Sequence, residues 1–405
     1  MPVLGIIVFM ALAWLMSVNK KAFPVRIVVW GIILQVALAF FVLNTGFGVS
    51  LFASVGNGFT TLLGYSKAGT LFLFGNMVKP EFFDTFGAQV ALTIVPTIIF
   101  FSSLVSVLYH VGVMSRIVYA IAWVMNKTMG TSGPETLNAA ANIFIGQTEA
   151  PILIRAYLDK STNSEIQAIM VAGFATIASS VMGAYISFGI SAQYLLFASI
   201  LAAPGSLLMS KIAFPPEGNE LTFNHISPRT ERTASNILEA ATNGAHDGLM
   251  LGLNVLAMLL AFIALVAVTD AGMGWIHQYL AWFPASLKDL FAYLFMPFAY
   301  LVGVPAKEAH IFAKLFGTKI ALNEFIAYKD LADLLKSGAV SAKTVTLCTI
   351  ALCGFANISS IAIQIGGIGA LAPSRRSDLA KVGWRSMALG ALTNLMVTAI
   401  ASLFL

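Results

Sequence analysis

The chain has 405 residues, of which 58% are hydrophobic and only 10% are charged, and its mean hydropathy is +0.86. A soluble domain carries roughly 25% charged residues, so this composition excludes a soluble globular protein and predicts one that crosses a bilayer several times. The formal net charge of +5 does not call for a nucleic-acid partner, because an excess of Lys and Arg in cytoplasmic loops produces it.

Charge-free windows predict the membrane-spanning helices. Residues 46–66 are mixed and glycine-containing, which favours an interfacial helix over a span. The first charge-free window, residues 3–18, is interpreted as a membrane-spanning helix, with a retained signal-like segment as the alternative. The fold class is therefore an all-α polytopic membrane protein with about eight transmembrane helices, at residues 3–18, 27–45, 86–109, 166–187, 190–210, 248–269, 344–371 and 386–405.

Basic residues beside these windows predict the orientation. The positive-inside rule puts both termini outside and four groups in the cytoplasm: Lys20, Lys21 and Arg26; Arg116; Lys211, Arg229 and Arg232; and Arg375, Arg376, Lys381 and Arg385. All four groups lie on the same side of the membrane only if residues 117–165 and 275–343 are re-entrant hairpins, which enter the membrane from opposite faces. Irregular backbone at membrane depth is tolerated where it lines a cavity.

The two re-entrant stretches resemble each other. Gly130 precedes Glu135 by five residues, and Gly303 precedes Glu308 by the same five. A further glutamate follows each pair, 14 residues on in the first stretch and 16 in the second. Each stretch then leads into an apolar helix with small polar residues at its centre. If the two stretches enter the membrane from opposite faces, they form an inverted repeat. Transporters with this plan bind their substrate near the midplane of the membrane, at breaks in discontinuous helices.

The further glutamates, Glu149 and Glu324, lie in the most apolar parts of the chain. An ionisable group at membrane depth is costly unless a partner or a water-filled cavity compensates it, so both indicate a site for a polar substrate or an ion. Glu149 follows Gln147 and Thr148, and Pro151 predicts a break in the helix there. A loop at the membrane surface is the alternative for this motif.

Asn323 and Glu324 form a second amide and carboxylate pair. A carboxylate accepts hydrogen bonds from two adjacent hydroxyls, which suits a sugar. The alternative is a structural ion pair between Glu324 and Lys319, although a spacing of five residues is unfavourable for a pair on a helix.

Further amide and hydroxyl positions are candidate site residues. Asn357 and Ser360 are three apart, on one face of the predicted helix, although such residues also join membrane helices to each other. Thr176 is predicted to lie in the middle of a helix, and its hydroxyl, with Asn142 before the first break and freed carbonyl groups, suits a monovalent cation. Cys348 and Cys353 are expected to be buried thiols, and the five histidines form no cluster with metal-ligand spacing.

Residues 317–328 (GTKIALNEFIAY) resemble the signature of the concentrative nucleoside transporters. That signature has Gly or Ala, any residue, Lys, three residues of any kind, then Asn-Glu-Phe-Val-Ala and an aromatic residue or Met. Ile326 in place of Val is the one departure. Residues 146–151 (GQTEAP) and 353–357 (CGFAN) match two other hallmarks in the same order, so the resemblance covers nearly the whole chain.

The resemblance implies which residues hold a nucleoside such as uridine. Gln147, Thr148 and Glu149 would face the nucleobase, partly through water. Val181 and Leu251 would form its apolar walls.

By the same resemblance, Glu324, Asn357 and Ser360 would hold the ribose hydroxyls, with Phe355 beside them. Glu324 lies in the first signature, Phe355 and Asn357 lie in residues 353–357, and Ser360 follows three residues later.

The resemblance also implies a sodium site formed by Asn142, Thr176 and the backbone carbonyls of Ile145 and Ile177. A sodium-coupled relative has Ser where this chain has Thr176, so the hydroxyl is kept and a methyl group is added. Some relatives that lack the Asn are proton-coupled, so Asn142 favours sodium. Sodium enters as a co-substrate, and no cofactor is expected.

The same resemblance implies a homotrimer in a bacterial inner membrane, in which a transport domain moves past a scaffold. The scaffold would hold residues 1–112 and 241–275. The transport domain would hold residues 113–212 and 276–405, one repeat in each part, and residues 213–240 would be the cytoplasmic loop.

The residues leave three other functions open. A proton-coupled nucleoside symporter would need Glu149 or Glu324 to take up a proton. A channel would need a continuous polar pore, whereas the polar groups cluster at two breaks. An intramembrane enzyme could use two buried carboxylates, but the chain has no familiar catalytic motif. The preferred reading is a sodium–nucleoside symporter and not an enzyme.

Overall fold

The computed structural model describes residues 1–82, 89–216, 218 and 234–405. These residues form helices and no strand, which confirms the all-α fold. The helices are α1 Pro2–Leu15, α2 Val25–Asn44, α3 Gly46–Phe74, α4 Val90–His110, α5 Val113–Met129, α6 Gly133–Ala141, α7 Arg155–Leu158, α8 Asn163–Ala175, α9 Ser179–Ser187, α10 Ala192–Ala213, α11 Ile237–Tyr279, α12 Leu287–Leu301, α13 Ala309–Ala321, α14 Glu324–Ser337, α15 Ala342–Leu352, α16 Ile358–Leu371 and α17 Arg376–Ser402. Short 3₁₀ helices cover Gly75–Val78, Pro80–Phe82, Ala150–Ile154 and Pro373–Arg375.

Several predicted boundaries were wrong. The window at 248–269 is only the middle of α11, which has 43 residues. The predicted interfacial helix at 46–66 continues to Phe74 as α3, and the segment Gly46–Val78 is long and apolar enough to cross a membrane. Residues 83–88, which include the start of the predicted third span, lie outside the described residues, as do Arg229 and Arg232 of the predicted cytoplasmic loop.

Two predicted spans are broken helices. The window at 166–187 divides into α8 and α9, and Thr176 is not in the middle of a helix but caps the end of α8 with extended backbone (φ −123°, ψ 170°). The window at 344–371 divides into α15 and α16, and Asn357 is the N-cap of α16 rather than a residue on a helix face. Hydropathy windows miss both breaks because the residues at the breaks are uncharged and mostly apolar.

The two repeats have the same element order. In each, one helix (α5 or α12) precedes two helices joined by a turn (α6 and α7, or α13 and α14), a broken helix (α8 and α9, or α15 and α16) and a long helix (α10 or α17). Gly130 and Gly303 occupy the same place after the first helix, and both have positive φ, 73° and 89°. A left-handed conformation there favours glycine, so the spacing seen in the sequence reflects a real structural correspondence.

The two repeats begin at opposite ends of the protein. Near Gly130, Arg26 donates to the carbonyl oxygens of Lys127 and Thr128 (2.9 and 3.0 Å), and Val18 N donates to Ala213 O (3.0 Å). A Cβ atom added to Gly303, at the other end, would lie 2.5 Å from the Ser402 hydroxyl and 2.9 Å from Pro2. Both chain termini therefore lie at the end opposite the first basic group.

Helices α4 and α11 pack closely through glycine. Gly244, Gly248 and Gly252 lie one turn apart on α11 and face α4. Ser103 Oγ and Ser106 Oγ donate to carbonyl oxygens of α11 (2.9 and 2.7 Å). Small residues of this kind let membrane helices approach each other closely. Most of α11 away from this contact is exposed and apolar.

Candidate functional site

A cavity of about 130 Å³ lies where the turns of the two repeats meet both helix breaks. All nine residues predicted to bind the substrate line it: Gln147, Thr148, Glu149, Val181, Leu251, Glu324, Phe355, Asn357 and Ser360. The fold brings these side chains together from five separate places in the sequence. Sequence reasoning had assigned no substrate contact to the other lining residues, which are Gly146, Ala178, Asn254, Val255, Met258, Asn323, Phe325, Ser359 and Ile363.

Glu324 is the first residue of α14 and is only 5% exposed. The N-cap residue Asn323 positions it, because Asn323 Oδ1 accepts from Ile326 N (3.0 Å). Each carboxylate oxygen of Glu324 accepts one hydrogen bond, from Tyr185 Oη (2.9 Å) and from Asn357 Nδ2 (2.9 Å). A carboxylate oxygen has two lone pairs, so each oxygen keeps one acceptor position for a ligand.

Asn357 is held so that its amide nitrogen faces Glu324. Its Oδ1 accepts from Ser360 N (2.9 Å) and from Ser359 Oγ (2.8 Å), which caps the start of α16. Because the oxygen is used in the cap, the NH₂ group is free to donate to the carboxylate. The break in the helix therefore orients a polar side chain that a continuous helix would have left on its surface.

Residues 146–149 form the tip of the first turn. Glu149 Oε2 accepts from Gly146 N (3.1 Å), which closes the tip on itself. Thr148 packs on α16, where a Cβ atom added to Gly367 would lie 2.5 Å from Thr148 Cγ2. Gln147 is almost fully buried, and its Nε2 donates to Ser360 Oγ (3.3 Å). The tip thus contacts the helix that follows the second break.

Two functional neighbours were missed by sequence reasoning. Tyr185, in α9, is fully buried and bonds Glu324, but no pattern in the sequence distinguishes it from a core tyrosine. Asn254 lines the cavity from α11. It is the only Asn in the apolar window 248–269, and this isolation was a usable signal.

The four residues of the predicted sodium site lie on two adjacent segments. Asn142 and Ile145 end α6 and begin the tip, and Thr176 and Ile177 lie in the break after α8. Ser179 N donates to the carbonyl oxygen of Phe144 (3.0 Å), which joins the two segments.

The donor set of these segments suits a monovalent cation. Asn142 is fully buried, its Nδ2 donates to Asn138 O (2.9 Å), and its Oδ1 has no hydrogen-bond partner. Thr176 Oγ1 donates its hydrogen to Ala172 O (2.8 Å), so its lone pairs remain available. Neutral oxygens suit sodium better than a transition metal. In the described part of the chain, no three His, Cys, Asp or Glu residues form a metal-binding group.

Three sequence profiles match consecutive parts of the chain. They are described as "Na+ dependent nucleoside transporter N-terminus" (residues 4–77), "Nucleoside recognition" (residues 91–192) and "Na+ dependent nucleoside transporter C-terminus" (residues 194–402). An uncharacterized transporter of Haemophilus influenzae is 40% identical, covering 100% of this chain and 97% of that protein. The chain belongs to the Na+ dependent nucleoside transporter family.

Other members of the family agree with this result. Sodium/nucleoside cotransporter 1 of Rattus norvegicus is 39% identical over 98% of this chain, which spans 63% of the rat protein's length. The structure of CNTnw in an inward-facing substrate-bound state has a TM-score of 0.93 and 39% identity, covering 100% of this chain and 97% of CNTnw. Membership of the family makes the chain an integral membrane transporter rather than an enzyme, and sodium is a co-substrate of the family.

In this family member, Lys319 connects the two helix breaks instead of pairing with Glu324. Its Nζ donates to Ala351 O (2.9 Å) and to Asn394 Oδ1 (2.6 Å). Asn394 Nδ2 in turn donates to Ala175 O (2.7 Å) and to Cys353 O (2.8 Å). These bonds satisfy carbonyl groups that the breaks in α8–α9 and α15–α16 leave without helical partners. Lys319 therefore has a structural role, which is to join the two helix breaks.

Lys211 also differs from its prediction. It is not a cytoplasmic loop residue but is fully buried in α10, where its Nζ lies 2.6 Å from Glu135 Oε2 and donates to Ser164 Oγ (2.8 Å). Cys348 and Cys353 are free and buried, as predicted.

Proposed function

We propose that the protein is a sodium-coupled symporter that imports nucleosides such as uridine. The observation that carries the proposal is the buried Glu324 carboxylate, held by Tyr185 and Asn357 at a cavity that the tip of the first repeat also lines. A nucleoside is neutral and rich in hydrogen-bonding groups, and its transfer across hydrocarbon requires protein bonds in place of those made by water. The family membership supports the same substrate class.

The ribose is proposed to bind at the second break. Glu324 accepts hydrogen bonds from two ribose hydroxyls through the remaining lone pairs of its oxygens. Asn357 and Ser360 contact the same hydroxyls, and the Phe355 ring lies against the sugar. The Asn357 cap supports this assignment, because it aims the amide nitrogen and the carboxylate at one place.

The nucleobase is proposed to bind at the tip of the first repeat. Gln147, Thr148 and Glu149 supply its polar contacts, and Val181 and Leu251 cover its faces. The lining of the cavity supports this division, since the polar tip residues and the apolar residues of α9 and α11 border the same space.

Sodium is proposed to bind between Asn142, Thr176 and the carbonyl groups of Ile145 and Ile177. The buried, unpartnered Asn142 Oδ1 supports this site, because an orphaned acceptor in an apolar interior is costly without a partner. The ion would fix the segment that leads into the tip, and so raise the affinity for the nucleoside. By linkage, the nucleoside then raises the affinity for sodium by the same factor.

We further propose that α6–α7 and α13–α14 are re-entrant hairpins of a transport domain (residues 113–212 and 276–405). The scaffold (residues 1–112 and 241–275) would form a homotrimer in a bacterial inner membrane. Two observations support the orientation with both termini outside. The repeats begin at opposite ends, and Arg26 lies at the end opposite the termini. The glycine-packed α4–α11 pair supports a rigid scaffold.

Uptake of radiolabelled uridine into proteoliposomes at fixed pH, with and without an inward sodium gradient, tests the proposal. Sodium-dependent accumulation is expected, and Glu324→Gln should abolish it, whereas the matched change at an exposed position, Glu81→Gln, should not. Accumulation driven by a proton gradient in the absence of sodium would mean that the coupling ion is a proton and not sodium. Absence of uptake by folded protein would overturn uridine as the substrate.

A further inference from the structure

Gln364 lies behind the tip of the first repeat and has no part in the contacts proposed above. It is on α16, seven residues after Asn357, and its side chain is fully buried. Its Nε2 donates to Gln147 Oε1 (3.0 Å) and to the backbone carbonyl oxygen of Met170 (3.1 Å). A buried amide that bonds directly to a residue of the cavity wall can control what that residue offers to a ligand.

The hydrogen-bonding partners fix both amides in one orientation. The Met170 carbonyl only accepts hydrogen bonds, so the Gln364 atom that faces it must be the NH₂ group. The Gln147 atom beside the same NH₂ group must then be the oxygen. Gln147 Nε2 consequently points the other way, toward Ser360 Oγ (3.3 Å) and the cavity.

Close packing supports this arrangement. A Cβ atom added to Gly173 on α8 would lie 2.8 Å from Gln364 Nε2 and 2.9 Å from Gln147 Cβ. The absence of a side chain at Gly173 therefore lets the two glutamines approach the α8 backbone together. Turning over the Gln364 amide would break its bond to Met170 O.

We propose that Gln364 sets the base preference of the site by holding Gln147 so that it presents its remaining N–H donor, and not its oxygen, to the nucleobase. The inference rests on the proposed function, in which Gln147 faces the base. The proposal places this donor opposite position 4 of a pyrimidine or position 6 of a purine, where uracil and hypoxanthine carry a carbonyl oxygen that accepts its hydrogen bond. Cytosine and adenine carry an amino group at these positions, and two donors facing each other leave both unpaired.

The preference is measured by competition. Unlabelled uridine, cytidine, inosine and adenosine compete with radiolabelled uridine for uptake by the full-length protein in proteoliposomes, at saturating sodium. Uridine should compete roughly tenfold better than cytidine, the factor that about 1.4 kcal/mol of binding free energy represents. For the same reason, inosine should compete better than adenosine.

The variant Gln364→Met has nearly the same shape, because Met is unbranched and flexible, but it removes the donor to Gln147 Oε1 and to Met170 O. Gln147 is then free to turn its amide, so the ratio of uridine to cytidine should fall toward one while uridine uptake continues. Gln35→Met is the matched control. Gln35 is also fully buried, but it lies on α2 and donates to Gly31 O, so its substitution should leave the ratio unchanged.

A double-mutant cycle separates positioning from packing. With Gln147→Met as the background, Gln364→Met should cause no further change in the ratio, because the amide it orients is absent. A further shift would overturn the proposal. Equal competition by uridine and cytidine in the unmodified protein would also overturn it, without affecting the proposed function. If folded protein takes up no nucleoside, the proposed function fails and this inference fails with it.

Discussion

Tyr185 and Glu324 join the two repeats by one hydrogen bond of 2.9 Å, from the phenol to carboxylate Oε1. Tyr185 belongs to the broken helix of the first repeat, and Glu324 begins the second helix of the turn in the second repeat. Both side chains are buried. The bond therefore couples the position of the proposed ribose ligand to a helix of the other repeat, and this gives Tyr185 a positioning role.

Replacing Tyr185 by Phe should weaken nucleoside binding with little loss of folding. The carboxylate would lose a partner, so its orientation would be less fixed, and a bond to a charged group contributes about 1.5–3 kcal/mol. We expect the KM for uridine to rise roughly tenfold, the equivalent of about 1.4 kcal/mol. Tyr328→Phe is the control, because the Tyr328 ring packs against Tyr185 at a tilt (4.3 Å between ring centroids) but its hydroxyl donates to Thr349 O. An equal rise in both variants would refute the positioning role.

Thr176 provides a test of the proposed sodium site. Thr176→Val keeps the shape but removes the oxygen, so the sodium concentration for half-maximal uptake should rise at least about tenfold, since one lost ligand of about 1.4 kcal/mol has that effect. Thr176→Ser keeps the oxygen and should behave like the unmodified protein. Uridine uptake measured at increasing sodium concentrations gives the half-maximal sodium concentration for each variant. If Val and Ser give the same sodium dependence, Thr176 does not contribute a ligand.

Composition predicted the fold class, and the motifs predicted residues that the fold brings to one cavity, but neither predicted their local structure. Apolar windows located most helices because hydrocarbon requires continuous apolar side chains. The same windows concealed the breaks at Thr176 and Asn357, because uncharged and mostly apolar residues fit a continuous helix equally well. Asn357 was identified as a site residue, yet its action as an N-cap that aims at Glu324 depends on the break.

Long-range partners were the second omission. Lys319 was weighed as a neighbour of Glu324, five residues away, but its bonds are to Ala351 O and Asn394. Asn394 is 75 residues distant in sequence, and no spacing rule connects the two. Lys211 looked like a loop charge because a polar stretch follows it, although its ion pair with Glu135 is closed by the fold.

Removing the Lys319 amine should destabilise the protein substantially. Lys319→Met would leave Ala351 O without this donor and Asn394 Oδ1 without a partner in a buried region, and unsatisfied groups of this kind cost about 1–3 kcal/mol each. The midpoint of thermal unfolding in detergent should fall by several degrees. Lys314→Met is the control. Its pair with Asp289 is partly exposed (35% and 31%), and pairs of this kind contribute about 0–1 kcal/mol. Equal midpoints for the two variants would contradict this role of Lys319.

The contact between α4 and α11 predicts opposite effects for two substitutions on the same helix. A Cβ atom added to Gly248 would lie 2.7 Å from Ile99 Cα and 3.0 Å from Ile98 O, so Gly248→Ala must push two backbones apart. We expect a loss of about 1–3 kcal/mol in the free energy of unfolding, as for other overpacked sites. At Gly272 an added Cβ meets nothing within 4 Å, so Gly272→Ala should stabilise α11 by up to about 1 kcal/mol through helix propensity alone. Thermal unfolding in detergent compares the two variants directly. Because helix propensity acts equally at both positions, the difference between the variants isolates the helix contact, and a difference near zero would mean that these two helices are not closely packed.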